Sequence, residues 1–129
     1  MLKYTDTVMA RFNNGQPKNG GMIKNADGVG QVGNARCGDI MKIYLSIENG
    51  KIKDAKFKTF GCVSAIASTD IACDMIKGKT VAEALELSNQ DVVDALGGLP
   101  EIKIHCSVLA KEAIEAAVED YRKKQSKKK

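Results

Sequence analysis

Four cysteines and one histidine are the residues of this 129-residue chain that are best able to do metal or sulfur chemistry. The cysteines Cys37, Cys62, Cys73 and Cys106 are widely spaced, and no two of them form a C-x-x-C pair. Zinc fingers and thioredoxin-like enzymes depend on such close pairs. The spacing therefore argues against both classes.

Three of the cysteines lie at boundaries between predicted elements. Cys37 lies in the loop before the first long strand, Cys62 follows the end of the second, and Cys106 opens the last helix. Such boundaries can meet at one end of a sheet, where helix N-termini lower thiol pKa values. Because thiolates gathered in this way bind soft or borderline metals, these three cysteines are the candidate ligands.

Polar neighbours strengthen this interpretation. Asp39 stands two residues after Cys37, and His105, the one histidine of the chain, directly precedes Cys106. Carboxylate oxygen and imidazole nitrogen are both metal ligands, and histidine gains or loses a proton near neutral pH. Either residue is able to complete a site of three thiolates, and the sequence does not decide between them.

Cys73 is interpreted differently, as a small buried hydrophobic residue. It stands seven residues after Ile66 and three before Ile76, on the apolar stripe of a predicted helix. A helix rises about 1.5 Å per residue, so Cys73 lies roughly 16 Å along the axis from Cys62. The two cannot share one metal.

A small antiparallel sheet of about three strands is predicted in the first half of the chain. Apolar and polar residues alternate from Asp39 onward, and Asn49-Gly50 then suits a type I′ turn into a second strand. The spacing of Ile52 and Ala55 in that strand indicates a bulge. Val29 to Val32 is a candidate third strand at the sheet edge.

Helices are predicted around this sheet. A short one spans Tyr4 to Phe12, followed by a flexible connection over residues 13–28. After Cys62 a helix runs to near Gly78, and Thr80 and Glu83 form a capping box for the next. The last two helices span residues 91–96 and about 106–124. The predicted fold class is α+β, a small antiparallel sheet covered by helices.

Composition and charge favour one soluble domain over residues 1–129. The content of 43% hydrophobic residues is ordinary for a globular protein, and the net charge of +4 comes from a basic tail. Residues 122–129 carry six of the positive charges and are predicted to be a frayed, solvated end, with no role in binding nucleic acid.

The N-terminus has no apolar run long enough for a signal peptide or a membrane span. A cytoplasmic location is therefore predicted, without membrane association. In a reducing compartment the cysteines are not expected to form disulfides, so they call for a metal, a catalytic or a packing explanation.

Four separated segments resemble the IscU/NifU family of iron–sulfur cluster assembly scaffolds. They are Cys37-Gly38-Asp39, the run KFKTFGC that ends at Cys62 and continues SAIAS, the run KGKTVAEAL, and His105-Cys106-Ser107. The resemblance runs in order from about Tyr4 to Tyr121. The chain departs from the family at Val63, where a small residue is usual, and at Leu99 to Lys103. That second segment replaces an LPPVK-type motif, which leaves a dedicated Hsp70-type chaperone undecided.

The resemblance implies a scaffold, not a turnover enzyme. It implies that Cys37, Cys62 and Cys106 hold a nascent, transient [2Fe–2S] cluster, with Asp39 and His105 beside it. It further implies a cysteine desulfurase as sulfur donor, Cys106 as the sulfur acceptor, and apo iron–sulfur proteins as recipients of the cluster.

Two rival classes use the same residues. A structural zinc domain would take the same thiolates with Asp39 or His105, although a chain of this length needs no metal for its core. Zinc is expected to bind opportunistically in the isolated protein. A thiol enzyme would use Cys106 as nucleophile and His105 as base, but adjacent helical residues point about 100° apart, which suits direct proton transfer poorly.

Overall fold

The computed structural model of the chain describes residues 19–34, 39–60, 63–98 and 104–127, together with Asp6 and Met9. Within these residues, three strands precede four helices: β1 Gly28–Asn34, β2 Asp39–Glu48, β3 Lys51–Phe60, α1 Val63–Ile76, α2 Val81–Leu85, α3 Asn89–Ala95 and α4 His105–Lys127. The predicted α+β class is confirmed. Asp6 and Met9 are both helical, and the rest of the predicted Tyr4–Phe12 helix lies outside the described residues.

The strands form an antiparallel sheet in the order β1-β2-β3. Alternate residues of β2 are buried on the face that the helices cover: Met41, Ile43 and Leu45. Asn49 and Gly50 have φ values of 55° and 75°, the positive pair that the predicted type I′ turn needs. Between Ile52 and Asp54 one residue of β3 has no partner in β2, and this is the predicted bulge.

The segment before β1 differs from its prediction as a flexible connection. Asn19 is buried, the Gly21 N–H donates to the Phe57 carbonyl at 2.8 Å, and the Asp27 N–H donates to the Leu45 carbonyl at 2.8 Å. Residues 19–27 are therefore fixed to both β3 and β2. Local turn formers predicted a loop correctly, but they carried no information about these distant partners.

Helix α1 is buried on almost every side, whereas its sequence predicted one apolar stripe. Ile66, assigned to that stripe, is only half-buried, while three polar residues are fully buried: Ser68, Thr69 and Asp70. The cause is the position of α1, which packs against β3 on one side and against α3 and α4 on others. Small residues such as alanine allow this close packing around the helix.

The two short helices begin at capping boxes. Thr80 and Glu83 form the predicted one before α2, with reciprocal bonds of 3.1 and 3.0 Å. Ser88 and Asp91 form a second one before α3, which the sequence interpretation missed. Because Ser88 is the cap, α3 begins at Asn89, two residues before its predicted start. In both boxes the hydrogen bonds to the N-cap residue lower the pKa of the acidic side chain.

Helix α4 continues to Lys127, so residues 122–127 are helical instead of a frayed tail. Two ion pairs at i,i+4 spacing support its last turns, Glu119 with Lys123 at 3.5 Å and Asp120 with Lys124 at 3.0 Å. Basic residues at a helix C-terminus also interact favourably with the helix dipole. No helix within the described ranges is both long and apolar enough to cross a membrane.

Two glycines of β1 let α4 lie directly against the sheet. A Cβ built on Gly30 would stand 2.5 Å from the carbonyl oxygen of Ala113, and one on Gly28 would stand 3.0 Å from the Tyr121 Cβ. From Gly28 to Gly30 the contacts on α4 move toward its start, so α4 runs antiparallel to β1. The Asp120 carboxylate accepts the Val29 N–H at 2.9 Å, and this hydrogen bond lowers the pKa of Asp120.

We predict that Gly30→Ala lowers the free energy of unfolding by about 1–3 kcal/mol, because the added methyl group collides with the α4 backbone. Urea unfolding at pH 7 measures the change. Gln31→Ala, at an exposed position of the same strand, is the control and should shift stability by less than about 0.5 kcal/mol. Equal effects for the two variants would contradict the close packing.

Candidate metal centre

The sheet register brings two of the cysteine-bearing connections to one end. Asn34, the last residue of β1, pairs with Asp39, and Ile40 pairs with Phe60, the last residue of β3. The strand ends to which the connections 35–38 and 61–62 are attached therefore lie side by side. Cys37 belongs to the first and Cys62 to the second, and both lie outside the described residues.

The start of α4 lies at the same end of the sheet. Gly30 lies beside Ala113 and Ala117, and Asn34 stands four residues further along β1. Four strand residues span about 13 Å, which equals about nine residues of helix rise. Because α4 runs antiparallel to β1, its first turn is level with Asn34.

All five predicted ligands therefore belong to segments that meet at this end, hereafter the ligand end of the sheet. Asp39 opens β2, and His105 and Cys106 are the first two residues of α4. The backbone topology thus meets the condition that the sequence interpretation required. The role of each residue as a ligand stays a prediction.

Both helices that begin at the ligand end present an uncompensated positive dipole end. The first turns of α1 and α4 contain no acidic residue. A helix N-terminus favours negative charge and lowers the pKa of a nearby thiol. Cys62 directly precedes α1 and Cys106 lies in the first turn of α4, and a lowered thiol pKa at these two positions stays a prediction.

Ser107 helps to fix the beginning of α4. Its N–H and its hydroxyl both donate to the Ile104 carbonyl, at 3.0 and 2.6 Å, and Ser107 is fully buried. Such a local side-chain bond holds the chain at the point where it enters the helix. The backbone on either side of Cys106 is therefore held in place.

Cys73 is confirmed as a core residue. It is 0% exposed within the apolar cluster, and burial, followed by the nearby Asp70, raises the pKa of its thiol. A raised pKa opposes the thiolate that a metal needs. Among the side chains that the structure describes, no group of three or more His, Cys, Asp or Glu residues is placed to hold a metal ion.

We predict that Cys73 resists alkylation in the native protein, because its thiol is both buried and protonated. Treatment with iodoacetamide at pH 8, followed by peptide mass spectrometry, should show it at least a hundredfold less reactive than in urea-unfolded protein. Cys106 serves as the internal reference. Rapid native labelling of Cys73 would contradict its assignment to the core.

Comparison with known sequences identifies the family. The chain matches the NifU-like N terminal domain over residues 3–128. It belongs to that family. This agrees with the resemblance carried by the four sequence segments.

Individual relatives cover most of the chain. The iron-sulfur cluster assembly scaffold protein IscU 1 of Archaeoglobus fulgidus is 50% identical over 124 residues, 96% of this chain and 80% of its own length. The iron-sulfur cluster assembly enzyme IscU of Drosophila melanogaster is 49% identical over 129 residues, 97% of this chain and 82% of its own length. The crystal structure of FiSufU from Fervidobacterium islandicum AW-1 has a TM-score of 0.72 at 27% identity, with coverage of 89% of this chain and 96% of that one.

The sequence interpretation missed Asn19, which lies in a segment expected to carry no chemistry. Asn19 is bonded to Asp70 and Asp74, which stand 51 and 55 residues away. No local pattern announces such partners. The available signals were Asp70 and Asp74, two acidic residues in a helix that otherwise consists of small, apolar and hydroxyl side chains.

Proposed function

We propose that this chain is a scaffold on which a [2Fe–2S] cluster is assembled from iron and sulfur before it is passed to an apo acceptor protein. The observation that carries the proposal is the meeting of the connections 35–38 and 61–62 and the start of α4 at one end of the sheet. The names of the relatives point in the same direction. The cluster is cargo and not a resident cofactor.

The donor set suits cargo that must leave. Cys37, Cys62 and Cys106 supply three thiolates, whereas a permanent [2Fe–2S] site normally has four. The fourth position falls to Asp39 or His105, and an oxygen or nitrogen donor is harder than a thiolate. A site of this kind holds the cluster more weakly and leaves a position that an acceptor thiol can attack.

Sulfur is proposed to come from a cysteine desulfurase as a persulfide. The Cys106 thiolate attacks the outer, sulfane sulfur of the donor persulfide. A new S–S bond then forms on Cys106, the donor S–S bond breaks, and the donor cysteine leaves as a thiolate. The positive end of α4 favours the attacking thiolate. This transfer consumes neither oxidant nor reductant, whereas converting each sulfane sulfur to cluster sulfide takes two electrons from an external electron donor. Because the cluster leaves as cargo, the chain is proposed to act as a scaffold and not as a turnover enzyme.

A reducing compartment such as the cytoplasm fits this chemistry, because free thiols must persist there. An Hsp70-type chaperone is no part of the proposal. Zinc would use the same thiolates in the isolated protein, but folding does not depend on it, since the described core is built of apolar side chains. A structural zinc domain is therefore the weaker alternative.

The ligand assignment is tested by four single variants in anaerobic reconstitution with iron and sulfide. Cys37→Ser, Cys62→Ser and Cys106→Ser should each lose at least about 80% of the visible absorption and circular dichroism of the cluster. The reason is that each change leaves two thiolate ligands, which are too few to hold the cluster. Cys73→Ala is the matched control and should retain the parent spectrum, since its thiol lies in the core.

Two outcomes contradict the proposal in different ways. A folded Cys73→Ala variant without a cluster would overturn the ligand assignment. A parent protein that binds zinc tightly yet forms no cluster with iron and sulfide would favour the zinc domain.

The proposed role of Asp39 gives a separate prediction. As a weak ligand, or as a charge that admits water and acceptor thiols, its carboxylate offers the route by which the cluster leaves. Asp39→Ala should retain a reconstituted cluster several-fold longer and transfer it several-fold more slowly to apo-ferredoxin. Circular dichroism of the acceptor follows the transfer. Asp39→Asn serves as the variant that keeps the size of the side chain while it removes the charge.

The alternative for Asp39 is purely structural. A carboxylate that only caps the chain between β1 and β2 would cost about 1 kcal/mol of stability on removal and leave transfer unchanged. Complete loss of the cluster would instead make Asp39 an indispensable fourth ligand, with no replacement by His105. Equal transfer rates for Asp39→Ala and the parent would leave only the cap.

A further inference from the structure

Asn19 is bonded to the two elements that flank the Cys62 connection. Its backbone lies along the outer edge of β3, where the Phe57 N–H donates to the Asn19 carbonyl at 3.0 Å. The Gly21 N–H returns a bond of 2.8 Å to the Phe57 carbonyl, and Gly20 forms a parallel bridge with Phe57. Asn19 is thereby attached to β3.

The same residue is attached to α1 through its other polar groups. Its N–H donates to Asp70 Oδ1 at 2.7 Å, and its side-chain Nδ2 donates to the Asp70 carbonyl at 2.8 Å and to Asp74 Oδ1 at 3.1 Å. Lys77 Nζ donates to Asn19 Oδ1. Every donor and acceptor group of Asn19 is thus in use, and its partners lie on both sides of the corner between β3 and α1.

Burial makes these bonds strong restraints. Asn19 is 1% exposed and Asp70 is fully buried, so the two bonds between them are shielded from water, while those to Asp74 and Lys77 are part-buried. Hydrogen bonds to a charged partner are stronger than neutral ones, and they gain further strength where the local dielectric is low. Lys77 Nζ also lies 3.7 Å from Asp54 Oδ1 and 3.8 Å from Asp74 Oδ1. Its positive charge offsets part of the negative charge of these aspartates.

Asn19 links β3 and α1 at a distance from the connection that joins these two elements. Phe57 stands three residues before the end of β3, and Asp70 stands seven residues after the start of α1. Each of these two stretches is therefore about 10 Å long, and residues 61 and 62 join β3 to α1 along the chain. At that distance, a displacement of about 1 Å in the contacts of Asn19 changes the angle between β3 and α1 by about 6°.

We infer that Asn19 is a positioning residue for Cys62, because Asn19 is bonded to both β3 and α1, the two elements that the chain joins through Cys62. This inference rests on the proposed function, because it takes Cys62 to be a ligand. Sites of this kind require their ligands within about 0.5 Å of the productive geometry. A second contact across the corner, between the hydroxyls of Thr59 and Thr69, is long at 3.4 Å and therefore weak.

Asn19→Ala tests the inference with Co²⁺ as the probe. The variant keeps the backbone N–H but removes Nδ2 and Oδ1, and with them three of the bonds to α1 and Lys77. We expect at least tenfold weaker Co²⁺ binding, with altered thiolate-to-Co²⁺ charge-transfer and d–d bands. We also expect faster amide exchange at residues 63–66, at the start of α1.

A stability-matched control separates positioning from a general loss of stability. Thr80→Ala removes the capping box of α2, which lies beyond the opposite end of α1 from Cys62. It should bind Co²⁺ within twofold of the parent and give the parent spectrum. Urea unfolding of both variants measures the two losses of stability, so that each Co²⁺ result is compared at a known stability.

The outcomes distinguish the inference from the proposed function. A parent protein that forms neither a Co²⁺–thiolate site nor a cluster would refute the proposed function itself. A normal parent together with an Asn19→Ala spectrum equal to that of Thr80→Ala would overturn only the positioning role. Should Asn19→Ala not fold, Asn19→Ser, which keeps a short donor and acceptor, carries the same comparison with the same two outcomes.

Discussion

Because Gly28 and Gly30 carry no side chain, the backbone of α4 lies directly on β1. This contact determines the position of α4, and so of its first turn, relative to the sheet. A bulkier residue at either position would move the helix away from the sheet. The first turn of α4 would then lose its place level with the ends of β1 and β3. The ligand end therefore depends on packing at the middle of β1, more than 10 Å away by strand rise. The glycine contact thus positions the first turn of α4 without taking part in the chemistry of the site.

The apolar core and the ligand end are separate parts of the molecule. The core consists of aliphatic side chains from the sheet and helices, and Cys73 belongs to it. A scaffold must remain folded when its cargo leaves, so its stability has to come from burial of apolar surface and not from the metal. The division of the four cysteines between the two parts meets that requirement. Cys37 and Cys62 belong to chain connections and Cys106 to the first turn of α4, whereas Cys73 contributes only volume to the core.

Much of the fold was predictable because its signals are local. The Asn49-Gly50 turn, the bulge after Ile52 and the Thr80–Glu83 capping box each depend on residues within a few positions of one another. The burial of α1 on nearly all sides was not predictable, because it results from the packing of three other elements around the helix. The bonds of Asn19 to Asp70 escaped for the same reason, since 51 residues separate the partners.

The candidate site shows the same division. Cys73 could be excluded from the sequence alone, because helical periodicity is local, and its burial agrees. The meeting of the other three positions needed the strand register and the direction of α4, which no single motif encodes. Cys37 and Cys62 were assigned from their places at chain connections and from the family resemblance, and they lie outside the described residues. Their assignment accordingly remains part of the proposal.

The two cysteines beside helix starts are restrained by different means, and this supports different roles for them. Cys62 belongs to the two-residue connection between β3 and α1, the two elements to which Asn19 is bonded. Few backbone torsions are free in so short a connection, so little entropy opposes a fixed ligand position. Cys106 lies in α4 itself, and nine residues separate that helix from α3. These places along the chain are consistent with the proposed roles, cluster ligand for Cys62 and sulfur acceptor for Cys106.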